Sequence, residues 1–280
     1  MENFETINSV LGVKVGSGVL LDRNNINGET LSKESFDRIG NELAYHSQDT
    51  AASILVSSAA ITAGMIETGL TERPSKESQM PELQRLASIG WHHIVSEWDD
   101  SISNSRFTTF YQIAVGGLLL TKSELDADRP ERDEALRTIY TMLRNGDIPV
   151  INENDTITHK EIEFGDNDIL SGHLFRAIAQ SALFGSDLKL ILLTDVDGLY
   201  EDAKNKRGLI KEVNDINQVE HLISGEKGKN STGGMLSKII CARLVTTVGV
   251  DMWVANGREE HAISKVLDGN IGTHFVAQRV

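Results

Sequence analysis

The sequence predicts an α/β protein built on a mainly parallel sheet, and three observations predict it. Short apolar runs alternate with helical patterns almost throughout the 280 residues, which is the signature of repeated strand–helix units. Four of those runs end abruptly in polar residues, at 13–18, 53–58, 148–155 and 190–195. Ligands of open α/β sheets bind beyond the carboxyl ends of the strands, so these polar endings share one edge. Finally, Ser231-Thr232-Gly233-Gly234-Met235-Leu236-Ser237-Lys238 sets two glycines at the start of a helical pattern and a lysine one turn inside it.

The elements follow in order. A first strand over 10–15 carries Lys14 at its end and runs into Gly16-Ser17-Gly18, read as a flexible loop. A helix covers 33–47. A strand over 53–57 leads through Ser57 and Ser58, both able to cap a helix or bind a ligand oxygen, into a helix over 60–68. Pro81 opens a long helix to about 103, as proline does at a first turn. A strand over 117–121 precedes a helix over 132–145, closed by Gly146. The second half reads as strand 148–152, helix 169–184, strand 188–193, helix 234–248 and late strands at 251–255 and 273–276. The polar stretches 22–29 and 201–207 are expected to be surface excursions. The charged stretch 155–168 is expected to fold over the crevice, and 225–231 to be mobile without ligand.

Composition bounds the function. The chain is 40% hydrophobic and 24% charged, with a formal net charge of -14. That acidity argues against general binding to nucleic acid or anionic membranes, which takes clustered Lys and Arg. A lone cysteine, Cys241, forms no intrachain disulfide and reads as a small buried residue of a helix. The first residues do not resemble a signal peptide, and no apolar run approaches the roughly 20 residues of a membrane span. A cytoplasmic enzyme is the expectation. His92 and His93 have no second pair at metal-ligand spacing, and Trp91, Trp98 and Trp253 read as packing residues.

The glycine-rich stretch before Lys238 suits phosphate. Glycines permit close backbone approach, a helix start presents unpaired N–H groups and a positive dipole end, and the lysine adds a point charge. The spacing is not that of a Walker A loop. Taken alone, the stretch is equally a turn that begins a helix, Lys14 an exposed strand-end lysine, Asp155 and Asp166 turn caps, and Asp195 a turn aspartate before Gly198. Their joint order along one chain decides between the readings.

That order resembles the amino acid kinase family. The matching segments are Lys14 to Ser17, Val56 to Gly64, Pro149 to Asp155, Gly165 to Asp168, Leu192 to Tyr200, Thr232 to Lys238, and Gly272-Thr273 with Phe275. The pair Asn152-Glu153-Asn154-Asp155 and Gly165-Asp166-Asn167-Asp168 is similar to the glutamate 5-kinase branch of that family. The resemblance implies one amino acid kinase domain, an αβα sandwich, with a glutamate-binding lobe over about 1–170 and a nucleotide-binding lobe over about 171–280. It implies ATP-dependent phosphorylation of the side-chain carboxylate of L-glutamate to glutamyl 5-phosphate, the opening step of proline biosynthesis.

By the same resemblance, Lys14 and Lys238 flank the transferring phosphoryl group and Asp168 holds them. Ser58, Asp155 and Asn167 bind glutamate, with Asp155 on the α-ammonium group. ATP is bound by Lys14, Gly16, Ser17, Thr194 and Asp195 together with Thr232, Gly233, Gly234, Met235, Leu236, Ser237 and Lys238. Gly18 also allows close backbone approach. Mg²⁺ accompanies the nucleotide, with no metal ligands assigned. Proline is an expected competitor of glutamate, and a homodimer or homotetramer is expected, with the helix over 81–103 at its interface.

Three departures from the family pattern stand out. Ala59 replaces a usual glycine and is expected to narrow the substrate pocket or displace the substrate, which keeps open a same-fold kinase for another small acid. A weak ligand-binding regulator is a further alternative. Gly18 stands where serine or asparagine is common and removes a hydroxyl donor. The chain stops just after the last expected strand, so the added PUA domain of many relatives, an RNA-binding-type fold, is not expected.

Overall fold

Strand β1 (Ile7–Val15) sets the layering of the molecule. Side chains alternate across a strand, and here Val10 enters one apolar layer while Leu11, Val13 and Val15 enter the other. Lys14 shares the parity of Val10 and Gly12. A Cβ on Gly12 would lie 2.2 Å from the Phe175 ring, so this position is open only to glycine. Burying such a ring contributes about 1.5–3 kcal/mol.

The computed structural model describes residues 5–22, 30–49, 51–75, 78–108, 112–157, 166–202, 204–220, 222 and 234–279. After β1 come α1 (Ser17–Leu20), β2 (Leu21–Asp22), β3 (Thr30–Leu31), α2 (Lys33–Asp49) and β4 (Ala52–Ser57). Then follow α3 (Ala60–Thr68), α4 (Met80–Ser103), β5 (Val115–Leu120), α5 (Pro130–Arg144) and β6 (Ile148–Glu153). The second half holds α6 (Asp166–Ala179), β7 (Phe184–Thr194), β8 (Leu199–Asp202), β9 (Arg207–Ile210), β10 (Glu212–Val213), α7 (Gly234–Thr246), β11 (Asp251–Asn256), α8 (Ala262–Leu267) and β12 (Thr273–Phe275).

Eight strands form the central sheet in the order β10-β12-β11-β7-β1-β4-β6-β5. Every pairing in it is parallel except β11 with β12. Helices α5, α6 and α7 pack one face through Leu136, Phe175 and Val245. Helices α2, α4 and α8 cover the other through Phe36, Trp98 and Ile263. This is the expected αβα sandwich. Helices α3 and α4 meet backbone to backbone: a Cβ on Gly90 would lie 1.8 Å from the Ala60 carbonyl oxygen, and one on Gly64 2.0 Å from that of Leu86.

Some boundaries differ from the sequence reading. The helix expected over 169–184 ends at Ala179, and Phe184 opens β7. Phe184 is buried against Tyr140, ring centroids 6.1 Å apart, and pairs with Ile7 of β1. Its apolar character serves a strand start rather than a last helical turn. The helix expected to reach 248 ends at Thr246. Gly16-Ser17-Gly18 is not a loose loop, because Ser17 begins α1. Within the stretch 201–207, residues 201–202 belong to β8, 207 to β9, and 204–206 form an exposed turn between these paired strands. Residues 158–165 and 225–231, expected to cover the crevice and to be mobile, lie outside the described residues.

Candidate active site

The carboxyl ends of β1, β4, β6 and β7 converge with the starts of α6 and α7. Parity turns Lys14 toward α6, whose third residue, Asp168, is 1% exposed. The Lys14 ammonium lies 2.7 Å from Asp168 Oδ1. From α7, Lys238 Nζ lies 3.0 Å from Asp168 Oδ2 and also donates to the Gly234 carbonyl at 2.9 Å. Lysines from opposite ends of the chain thus share one aspartate.

Burial alone raises the Asp168 carboxyl pKa. The Lys14 and Lys238 charges and a hydrogen bond from Ser237 outweigh it and bring it from 3.8 down to about 2. The aspartate is therefore ionised at any physiological pH. Cys241, wholly buried beside this cluster, has its thiol pKa pushed well up, first by burial and then by the Asp168 charge. It is inert packing, as the sequence suggests.

Ser237 Oγ lies 2.7 Å from Asp168 Oδ2, and the residue, 2% exposed, backs the aspartate. Leu236 is exposed and Met235 half-buried. Thr232 and Gly233 lie outside the described residues.

Around β7 the remaining nucleotide candidates come together. The Gly16 N–H donates to the Leu193 carbonyl at 2.9 Å, and Thr194 Oγ1 donates to Asp195 Oδ1 at 3.3 Å. A Cβ on Gly18 would lie 2.9 Å from Asp195 Oδ2. The glycine at 18 thus makes room for a carboxylate, and a hydroxyl added there would face it. Arg258, unanticipated from sequence, bonds the Gly18 carbonyl at 2.7 Å.

On the β4–β6 side the contacts are neutral. Asn167 spreads one carboxamide over two strand ends, those of β4 and β6. Its Nδ2 donates to Asn152 Oδ1 at 2.7 Å, to the Ser57 carbonyl at 3.2 Å and to Ser58 Oγ at 3.3 Å. Its Oδ1 accepts the Glu153 N–H at 3.0 Å. Ser57 is fixed from behind by Trp98, whose indole N–H donates to Ser57 Oγ at 2.8 Å. Trp98 therefore does more than pack. Asp155 lies beyond β6, half-buried, beside Arg73. Burial lowers the Arg73 guanidinium pKa and the Asp155 charge opposes that shift. Nothing in the sequence pattern marks Arg73, which the turn after α3 brings there.

Ala59 begins α3 in the left-handed region, at φ 78 and ψ 5. A side chain costs about 1–2 kcal/mol there, which is a backbone reason for the usual glycine. The residue is half-buried and packs against the apolar layer under α2, α4 and α8. The departure therefore loads the turn. Among the described residues no group of His, Cys, Asp and Glu side chains could hold a metal ion.

The amino acid kinase family matches residues 13–256, and the chain belongs to that family. A glutamate 5-kinase of Thermus thermophilus is 34% identical over 272 residues, covering 96% of this chain and 68% of the relative. One from Clostridium acetobutylicum is 36% identical over 272 residues, covering 95% of this chain and 94% of the relative. Within the family, then, the chain falls among the glutamate 5-kinases. Carbamate kinase from Giardia lamblia bound to AMP-PNP superposes with a TM-score of 0.65 at 14% identity, covering 97% of this chain and 99% of that one. An isopentenyl phosphate kinase gives 0.59 at 16% identity, covering 95% and 100%. These two likenesses carry the fold alone.

Proposed function

We propose that this chain transfers the γ-phosphoryl group of ATP to the side-chain carboxylate of L-glutamate, giving L-glutamyl 5-phosphate for proline synthesis. The observation that carries it is the Lys14–Asp168–Lys238 cluster at the sheet edge, in a chain whose relatives are glutamate 5-kinases.

The chemistry asks for little more than placement and charge. Two anions must approach, and negative charge builds on the transferring oxygens, so positioning and electrostatic stabilisation dominate. ATP supplies the phosphoryl group, and Mg²⁺ rides mainly on its phosphates, which suits an edge without a dedicated carboxylate cage among the described residues. Lys14 and Lys238 lie to either side of Asp168 and lower the repulsion between the two anions. Asp168 keeps both ammonium groups in place. Gly16, Ser17, Thr194, Asp195 and residues 232–238 bind the nucleotide, with Ser237 acting through Asp168. Asp155 receives the α-ammonium group of glutamate, and Ser58 and Asn167 address its carboxylates.

Sheet order supports a division of labour. Strands preceding residue 160 lie on the β1 side and those after it on the β7 side, so the acid-binding half spans about 1–170 and the nucleotide half about 171–280. A cytoplasmic, homo-oligomeric enzyme completes the proposal. The described residues contain no helix long and apolar enough to cross a membrane.

An ADP-release assay with glutamate, aspartate, N-acetylglutamate and no acceptor tests the reading. Turnover with glutamate alone is expected; equal turnover with aspartate assigns the chain to another small acid. Proline, which shares the α-ammonium and α-carboxylate, is expected to raise the glutamate KM at constant maximal rate. Inhibition insensitive to glutamate would remove the shared-site account.

A further inference from the structure

The turn after β11, Asn256-Gly257-Arg258-Glu259, is held from three sides. From α2, the Arg38 guanidinium donates to the carbonyls of Gly257 at 2.7 Å and Glu259 at 2.8 Å. From the end of β7, the Thr194 carbonyl accepts the Gly257 N–H at 2.8 Å. Past that strand end, Asp197 Oδ1 accepts from Asn256 Nδ2 at 2.8 Å, and its Oδ2 accepts from the Tyr200 hydroxyl at 2.6 Å. Asn256 also closes the turn on itself, its Oδ1 accepting the Arg258 N–H at 3.0 Å. A Cβ on Gly257 would lie 2.9 Å from Leu193 Cβ and from Val19 Cγ2, so only glycine lets the turn sit this close to β7 and α1. These bonds fix the backbone from which Arg258 projects.

Arg258 is exposed, yet its Nη2 reaches the Gly18 carbonyl at 2.7 Å. The sheet order there is β11-β7-β1, so the side chain crosses the width of β7 to reach the loop after β1. Local geometry explains why that carbonyl takes a distant donor. Helix α1 is a single turn, and a helix leaves its last carbonyls without partners of its own. The Gly16 carbonyl accepts the Val19 N–H at 3.0 Å, the Ser17 carbonyl that of Leu21, and the Leu20 carbonyl that of Ser32 at 2.8 Å. Four residues on from Gly18 the chain is already in β2, at Asp22. The Gly18 oxygen is served by Arg258 instead.

At an anion site this pairing has a consequence. A free carbonyl oxygen repels a phosphate, whereas backbone N–H groups attract it. With the carbonyls of residues 16, 17 and 18 all occupied, the loop turns no unpaired oxygen toward the crevice. The same turn is bonded to Thr194 and Asp197, on either side of Asp195. It therefore joins both segments that the nucleotide reading uses, the loop after β1 and the end of β7. We propose that Arg258 is a positioning residue for the nucleotide, tying the Gly16–Gly18 loop to the end of β7 and holding the two at one spacing around the ATP phosphates. The inference rests on the placement of ATP given above. It does not involve the acid, so removing Arg258 costs nucleotide affinity and spares the acceptor.

Calorimetry with AMP-PNP and Mg²⁺, beside steady-state kinetics, tests this on the full chain and on Arg258→Ala, Arg258→Lys and Thr194→Ala. Arg258→Ala is expected to raise the AMP-PNP Kd and the ATP KM about tenfold. The glutamate KM should stay within about twofold and kcat within about threefold. Because the residue is exposed, Tm should move by less than about 2 °C. Arg258→Lys keeps a charged donor and should recover most of the lost affinity. An unchanged Kd in Arg258→Ala overturns the proposal. So does a parallel rise in both KM values, the mark of general loosening, and so does a lysine variant as weak as the alanine one, since one donor suffices for one carbonyl. Thr194→Ala separates this inference from the reading beneath it, because it should weaken AMP-PNP on its own account. Normal binding in both alanine variants would remove ATP from this edge and the proposal with it; weakening in Thr194→Ala alone would remove only the role of Arg258. Turnover of an acid other than glutamate leaves the calorimetric result standing.

Discussion

The two sides of the sheet edge solve different problems. On the α6–α7 side, three charged groups lie almost wholly out of water and are held by one another. On the β4–β6 side, one neutral carboxamide, Asn167, ties the two strand ends together. Ionic groups can be buried only if paired, so the first side is complete before any ligand arrives. The second side is held by neutral bonds, which a substrate can exchange one for one. On the proposed reading, charge is preorganised where phosphate binds and adaptability is kept where the acid binds.

Removing the shared anion should break the comparison most severely. Asp168→Asn leaves two buried ammonium groups facing each other, so a loss of about 3–5 kcal/mol in stability is expected. Chemical denaturation at pH 7 measures it, and kcat should fall about a thousandfold or more in the folded fraction. The pH dependence supplies a check on sign. A carboxyl depressed from 3.8 to about 2 stabilises the fold fully above pH 3.8 and loses that contribution as pH falls through about 2. Acid titration of stability should therefore show a step between these values, absent in Asp168→Asn.

Lys238→Ala comes next. It should lower kcat at least about a hundredfold with the glutamate KM nearly unchanged, because the charge acts chiefly in the transition state. Steady-state kinetics of the folded variant settles the role, and a near-normal kcat would end it. Across the edge, Asp155→Asn should do the reverse, raising the glutamate KM about thirtyfold while ATP binding holds. Were ATP affinity to fall instead, Asp155 would belong with the nucleotide side, and the division drawn above would fail. The smallest effect is at the joint. Ala59→Gly relieves a left-handed alanine and should stabilise the protein by about 0.5–1 kcal/mol, seen as a Tm increase of about 2 °C.

How legible this is depends on whether the determinant is local. Strand parity, Pro81, Gly146 and the polar strand endings are properties of a few consecutive residues, and the helix Ala60–Thr68 is readable to its ends. The joint spacing of Lys14, Asp168 and Lys238 is readable through resemblance, and the fold brings the three within bonding distance. What escapes the reading depends on partners distant in sequence. Phe184 reads as helical until Tyr140 and Ile7 are seen beside it. That Ser237 backs Asp168 is seen only once the two are brought together. Arg38 is one charge on an amphipathic helix, and only folding brings residues 257 and 259 to it. Ala59 reads as a methyl group added to a pocket, and folding adds a left-handed backbone angle that no composition reveals.

The position of β1 carries a consequence for synthesis. It precedes both of its neighbours in the chain, yet it lies in the middle of the sheet, flanked by β4 and β7. As the chain leaves the ribosome, one flank of β1 has no partner until residues 184–194 emerge, and Lys14 has no counter-charge until α6 follows. An exposed apolar strand edge is a template for wrong pairing, and such long-range contacts form slowly. The nascent protein therefore carries an open apolar strand edge until β7 is made. Ribosome-bound chains halted before β7 should engage holding chaperones, and chains released past it should not.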